Sequence, residues 1–322
     1  MTLNNKSNLL ISRNISKKSF KIIYSIVRAV LLIAVGYIIL FPLFTMVSTA
    51  LKTQSQLTDP SVVWIPKIVT FDNFEYAIGV LDYTNSFVRT LLINVVSAVI
   101  EIATCAITAY GFARFKFKGQ KLFYAILVST IIVPIQLTAV SSYISFSKFD
   151  IVGVFDLVGM LVGTDIRPNL IDTPLTFYLP SILSVGIKSG LIIFIYIQFF
   201  KGLPKELEEA SSIDGCGSLG TFLRIVIPSS GVAILTVTIF SIIWHWNDYY
   251  LSVLYFSNNA NLTVKLSQIA TTLETFGISN QNAATNGIIM AGCLLYILPM
   301  LIMYLFLQKY FIQSIDRVGI VG

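Results

Sequence analysis

The chain has 322 residues, 55% hydrophobic and only 12% charged, with a formal net charge of +6 and a mean hydropathy of +0.80. Soluble domains carry about 25% charged residues, so this composition excludes an ordinary soluble globule and points to an all-α polytopic membrane protein. One histidine (His245) and three scattered cysteines (Cys105, Cys216, Cys293) exclude a His-based metal cluster and a Cys metal or redox spacing, and no G-x-x-x-x-G-K-[ST] run offers a P-loop for ATP.

Residues 1–21 are polar and basic, with Lys6, Arg13, Lys17, Lys18 and Lys21 ahead of an apolar run from Ile22 to Ala50. Ser48-Thr49-Ala50 resembles a signal-cleavage site, but the run exceeds an h-region of about 7–15 residues, which favours an uncleaved first span. Further spans are predicted at Phe87–Phe112, Leu122–Phe146, Leu179–Phe200, Gly231–Tyr255 and Ile288–Phe311, each near the ~20 residues that a ~30 Å hydrocarbon core requires. The expected plan is a cytoplasmic segment 1–21, a six-helix membrane domain 22–311 and a cytoplasmic tail 312–322.

Fifteen of the 22 Lys and Arg fall in the N-terminal region, the Arg114–Lys121 turn, the 201–229 loop and the tail. The positive-inside rule therefore predicts both termini and that loop on the cytoplasmic side. This distribution accounts for the basic balance without nucleic acid. The outer segments Lys52–Ser86, Ser147–Tyr178 and Ser257–Gly287 are too small to hold a core of their own; Trp64, Phe71 and Phe74 suit the headgroup level.

The loop Lys201–Ser229 is a charged island between apolar runs. Pro204 fits a first helical turn, and Glu206, Glu208 and Glu209 suit the positive end of the dipole. Asp214-Gly215 ends that helix. A second helix is predicted from Ser218 to about Ile227, with Leu219, Phe222, Leu223 and Val226 on one face, limited by Pro228.

Glu209-Ala210-Ser211, Gly215 and Ile225-x-Ile227-Pro228 match EAA-x3-G-x9-I-x-L-P, with Ser211 for the second Ala and Ile227 for Leu. The loop thereby resembles the coupling loop of ABC-importer permease subunits. The resemblance implies a type I importer permease fold of six spans, N-in/C-in, whose cytoplasmic coupling helix docks in an ATP-hydrolysing partner. Candidate coupling residues are Pro204, Glu206, Glu209, Ala210, Asp214, Gly215, Phe222, Ile225 and Pro228.

Glu101 lies mid-span, where a carboxylate is costly and is by default a functional candidate; the alternatives are an interhelical hydrogen bond or a protonated carboxyl. Ala98, Ala103, Ala106, Ala109 and Gly111 favour close helix contact around it. Lys188, expected a third of the way into the fourth span, suits snorkelling along its aliphatic stem. Trp244, Trp246, Asn247, Asp248 and Tyr249 combine aromatic faces with polar groups, which suits a sugar and equally suits packing between subunits.

W-N-[DE]-[FY] at this distance from the loop, Phe199-Phe200-x-x-x-Pro204, the Thr263–Leu266 echo of an outer-loop T-L-x-x-[GA], and Gln308-Lys309-Tyr310-Phe311-Ile312 resemble the carbohydrate-uptake branch, the smaller, maltose G-type permease. The family's T-x-G-[AS]-[VI]-K-G ending is replaced by Asp316–Gly322. The branch implies import of a sugar or oligosaccharide in a bacterial cytoplasmic membrane. Its partners would be a second permease, two ABC ATPase subunits that bind ATP and Mg, and a solute-binding protein. This chain itself would carry no cofactor, metal or catalytic site. Rival readings are a permease for a non-sugar solute, an ion-coupled secondary transporter using Glu101 and Lys188, for which internal repeats are missing, and a membrane enzyme, for which a nucleophile–base pair or metal motif is missing.

Overall fold

The computed structural model describes residues 3–278 and 283–318, with side chains for 21–278 and 285–309. The side chains of the basic N-terminal stretch, and those of the tail from Tyr310 onward, lie outside the described residues. The described chain is helical, with a single antiparallel bridge, Lys52 to Val69, outside the helices.

The chain forms two compact units, residues 1–76 with 281–294, and residues 77–280 with 295–322. The first unit contains α1 (Leu3–Ala50) and the start of the last long helix, α12 (Ala283–Val318). Most of the apolar stretch Lys21–Ala50 is exposed, as expected of a helix solvated by lipid. Its end is folded back by polar contacts. Ser48 donates to the Trp64 carbonyl (2.6 Å), Lys52 Nζ to the carbonyls of Val62 (2.8 Å) and Val63 (3.0 Å), and Asn73 Nδ2 to those of Ala50 and Lys52 (both 2.9 Å). A β-carbon at Gly287 would come within 2.8 Å of Asn73 Oδ1, so glycine allows the close approach there.

In the second unit, α2 (Tyr83–Arg114) is long and apolar enough to cross a membrane alone, as predicted. The predicted third span is instead broken into α3 (Gln120–Ile132) and α4 (Gln136–Ser147), bent by 101°. Pro134 lies in the break; it lacks an N–H and forces the preceding Val133 into extended backbone. The segment predicted to lie outside then carries α5 (Val154–Val162).

The predicted fourth span is also interrupted. α6 (Leu175–Ile182) ends, the chain turns through residues 183–188, and α7 (Ser189–Gly202) follows with only 14 residues. Ser184 and Lys188 both have positive φ, 58° and 59°. Lys188 is exposed and stands in that turn immediately before α7, not inside a continuous helix.

Next come α8 (Glu206–Ile213), α9 (Ser218–Ser229), α10 (Gly231–Trp246) and α11 (Tyr250–Tyr255). α9 is longer than predicted. It widens at Phe222–Val226, where the Ile227 N–H reaches the Phe222 carbonyl. The wide turn immediately precedes Pro228, which has no N–H to continue the α pattern. α9 and α10 meet at Ser230 with an 80° bend. The predicted fifth span stops early, at Trp246, and Asp248 starts α11 by accepting from the N–H groups of Leu251 (3.4 Å) and Ser252 (2.9 Å).

Among the described residues, three helices are thus long and apolar enough to cross a membrane, or up to five if each bent pair is one span. The core of the second unit packs α2 against α7 and α10. Cys105, Ala106 and Ala109 of α2 let Ile192, Ile193, Tyr196, Ile197 and Phe200 of α7 come close, with Phe222, Val226 and Val237 closing the cluster. Small residues at such a seam allow backbones to approach without a driving hydrophobic effect.

Candidate functional site

The sequence places two candidate regions on this scaffold: the loop at α8 and α9, and the polar groups of α2 and α10.

In the loop, α8 ends as predicted. Gly215 has φ +81°, its N–H donates to Ser212 O (3.1 Å), and that of Cys216 reaches back to Ser211 O (3.0 Å). This pair of bonds is the Schellman arrangement, for which a left-handed glycine is suited. Nothing lies within 4 Å of a β-carbon built on Gly215, so the requirement for glycine is conformational, not steric.

The two faces of α8 do different things. Glu206, Glu209, Ala210 and Ile213 follow the i, i+3, i+4, i+7 spacing of one helix face, and all four are exposed, Ile213 to 86%. The other face is turned into the protein. Ser211 and Thr221 are buried and share a hydroxyl–hydroxyl hydrogen bond of 2.9 Å, which pins α8 to α9. Glu208 Oε1 lies 2.5 Å from Arg114 Nε at the end of α2. Pro204, Asp214, Gly215 and Pro228 are exposed and Ile225 is half-buried.

The predicted apolar face of α9 splits. Phe222 (4%) and Val226 (1%) are buried, whereas Leu219 (67%) and Leu223 (56%) are exposed. Phe222 packs on Tyr110 with ring centroids 4.9 Å apart. Leu219 and Leu223, four apart, share one edge of that face and Phe222 and Val226 share the other, and only the second edge is turned into the protein.

At the centre of α2, Glu101 is fully buried. Its Oε1 accepts from Ser189 Oγ (2.5 Å) at the start of α7, and its Oε2 accepts from Ser241 Oγ (2.8 Å) on α10. His245 Nδ1 lies 3.7 Å from Oε2 and donates to the Ser241 carbonyl (2.8 Å). A β-carbon at Gly186 would fall 2.8 Å from Glu101 Oε1. The break between α6 and α7 is sealed against the same helix, because Thr104 donates to the Ser181 carbonyl (2.7 Å) and Thr108 pairs with Ser184 (3.1 Å). Irregular backbone among apolar helices requires such partners. Glu101 therefore makes the interhelical hydrogen bonds that were one alternative at the sequence level. Its partners Ser189, Ser241 and His245 are 88 to 144 positions away, and no local pattern marks them.

The aromatic group around Trp244 is not one wall. Trp246 is buried between Phe87 (6.1 Å) and Tyr296 (5.6 Å), and Tyr296 donates to its carbonyl (2.5 Å). Trp244 stacks on Phe240 at 5.3 Å. Asn247 and Tyr249 are exposed, and Asp248 is occupied in capping α11. Among the described residues, no group of His, Cys, Asp and Glu is placed to hold a metal ion.

Residues 102–317 match the family model described as "Binding-protein-dependent transport system inner membrane component". The melibiose/raffinose/stachyose import permease protein MelC of Bacillus subtilis (strain 168) is 31% identical over 283 residues, 87% of this chain and 91% of its own. The trehalose transport system permease protein SugB of Mycobacterium tuberculosis (strain CDC 1551 / Oshkosh) is 26% identical, covering 90% of this chain and 95% of its own. Among solved structures, a bacterial ABC transporter involved in import of the acidic polysaccharide alginate has a chain that superimposes with a TM-score of 0.69. It is 21% identical over 90% of this chain and 96% of that one, a likeness of fold. With the family model covering most of the sequence, the chain belongs to the inner-membrane components of binding-protein-dependent transport systems.

Proposed function

We propose that this chain is the permease subunit of an ATP-driven ABC importer for a sugar or oligosaccharide, handed over by an extracytoplasmic solute-binding protein. The observation that carries the proposal is the α8 face of Glu206, Glu209, Ala210 and Ile213, exposed inside the EAA-x3-G segment while the opposite face is tied down. An exposed acidic and apolar helix face held rigidly from behind suits docking to a soluble ATPase. The substrate class rests on relatives named as importers of melibiose, raffinose, stachyose and trehalose.

In this reading the protein is multi-pass in the cell membrane, with six spans, both termini and the α8–α9 loop on the cytoplasmic side. The broken pair α3/α4, the interrupted α6/α7 segment and α10 supply three of the crossings. A second permease, two ATPase subunits carrying ATP and Mg, and the binding protein complete the complex. Pro204, Asp214, Gly215, Ile225 and Pro228 shape the loop, and Phe222 roots it. Trp244, Asn247 and Tyr249 remain candidates for the sugar path, whereas the burial of Trp246 and Glu101 favours support of that path from behind.

Nucleotide closure of the ATPase pair would move the docked loop as a piece and switch the helix bundle between two packings. The test is purification in mild detergent with mass spectrometry of partners and an ATPase assay. Recovery of a second permease and a P-loop ATPase is expected, with both ATPase recovery and hydrolysis falling at least tenfold in Glu209→Lys. A lone homo-oligomer, or full hydrolysis in Glu209→Lys, would reject the docking assignment.

A further inference from the structure

Arg114 enters the sequence reading as one basic residue of a short turn. In the structure it is the last residue of α2, and its side chain is only 8% exposed. Its Nε approaches Glu208 Oε1 at 2.5 Å, and its Nη2 donates to the Leu203 carbonyl at 2.9 Å. Leu203 ends α7, and Glu208 sits in the first turn of α8. One guanidinium therefore joins three helix ends. Its planar fork suits this task, as a lysine ammonium at the end of a flexible stem does not.

We propose that Arg114 is a positioning residue that fastens α8 to α2, so that displacement of the loop enters the membrane through α2 as well as through the covalently attached α7 and α10. The contact lies behind the exposed docking face. Glu208 is the one glutamate of the α8 triplet that points inward, with its side chain 19% exposed. The Tyr110–Phe222 ring contact fastens α9 to the same end of α2. Thirteen residues earlier, about 20 Å along the helix at 1.5 Å per residue, Glu101 binds α2 to Ser189 of α7 and Ser241 of α10. α2 is thus held at the loop and at mid-helix, and movement of the loop is passed to the Glu101 contacts along a single rigid element. Glu208→Gln leaves the largely buried Arg114 charge uncompensated, and Arg114→Lys loses the planar fork that reaches Glu208 and the Leu203 carbonyl together, so each substitution loosens the joint.

This proposal rests on the reading that the loop docks an ATPase. The test uses the assembled complex in lipid nanodiscs, with the native cysteines replaced and spin labels at Lys116, just beyond α2, and Ser212, exposed on α8 outside the docking face. Distance distributions are measured without nucleotide and with ATP plus vanadate, alongside ATP hydrolysis. In the unmodified joint, the label distance is expected to be the same in both states. In Glu208→Gln and Arg114→Lys it is expected to broaden and shift by about one helical turn, ~5 Å, on trapping, with at least a threefold loss of hydrolysis. The charge-swapped pair Arg114→Glu with Glu208→Arg is expected to narrow the distribution again. A distance that stays fixed in both single variants would overturn the proposal. Failure of the unmodified chain to recover an ATPase would instead overturn the docking reading on which it rests.

Discussion

Glu208 and Glu209 are neighbours of the same type with opposite employments. The 100° step between helix positions sends Glu209 outward with Glu206, Ala210 and Ile213, and Glu208 inward to Arg114. Ser211, where the family pattern has alanine, uses its hydroxyl to hold Thr221. Gly215 is the residue whose replacement has the plainest consequence. At φ +81° a branched side chain is strained, and Gly215→Val is expected to cost ~1–2 kcal/mol. Hydrogen exchange checks this: the amides of Gly215 and Cys216 should lose protection, while those of the α2–α7 core stay unchanged. Gly215 as the end of α8 and Glu209 in its first turn were legible from local sequence, because helix termini and dipoles are local. The partners of Glu101 and Arg114 were not legible. Ser189, Ser241 and Glu208 reach them only after the chain has folded across distances that no periodicity encodes.

The long helices α2 and α12 were legible as apolar runs. The breaks were not, although their causes stand in the sequence. Pro134 and the 183–188 turn sit inside runs whose mean hydropathy stays high, and hydropathy measures transfer to lipid without regard to backbone continuity. One element between the helices has a pH-dependent fastening. Asp172 Oδ1 accepts from the N–H groups of Ser257 (2.6 Å) and Asn258 (3.0 Å), and Oδ2 from the Ser257 hydroxyl (2.8 Å). Burial pushes this carboxyl up, but the N–H and hydroxyl of Ser257 and the N–H groups of Asn259 and Asn258 outweigh it and hold the group below its ordinary 3.8. Because the folded value is the lower one, the stabilisation is complete above the ordinary value and is lost as pH falls through the folded one. Exchange at residues 257–259, corrected for intrinsic rate, should rise on acidification, and the Asp172→Asn variant should lack that rise.

For the molecule as a whole, the basic residues predict the orientation and the exposed loop residues supply a check on it. Single cysteines at Val152, 97% exposed, and Ile213, 86% exposed, should label from opposite sides of a sealed vesicle with an impermeant maleimide. Labelling from the same side would reject the N-in/C-in arrangement. The shortness of α7 sets a further condition on the surroundings. Its 14 residues span about 21 Å, well short of a ~30 Å hydrocarbon layer. In the proposed six-span arrangement, the non-helical turn before it lies at a depth where acyl chains offer no hydrogen bonds. The protein should therefore have a preferred bilayer thickness. In vesicles of stepwise longer phosphatidylcholine chains, hydrolysis by the assembled complex should peak at the thinner members and decline as the mismatch grows, making annular lipid a determinant of turnover.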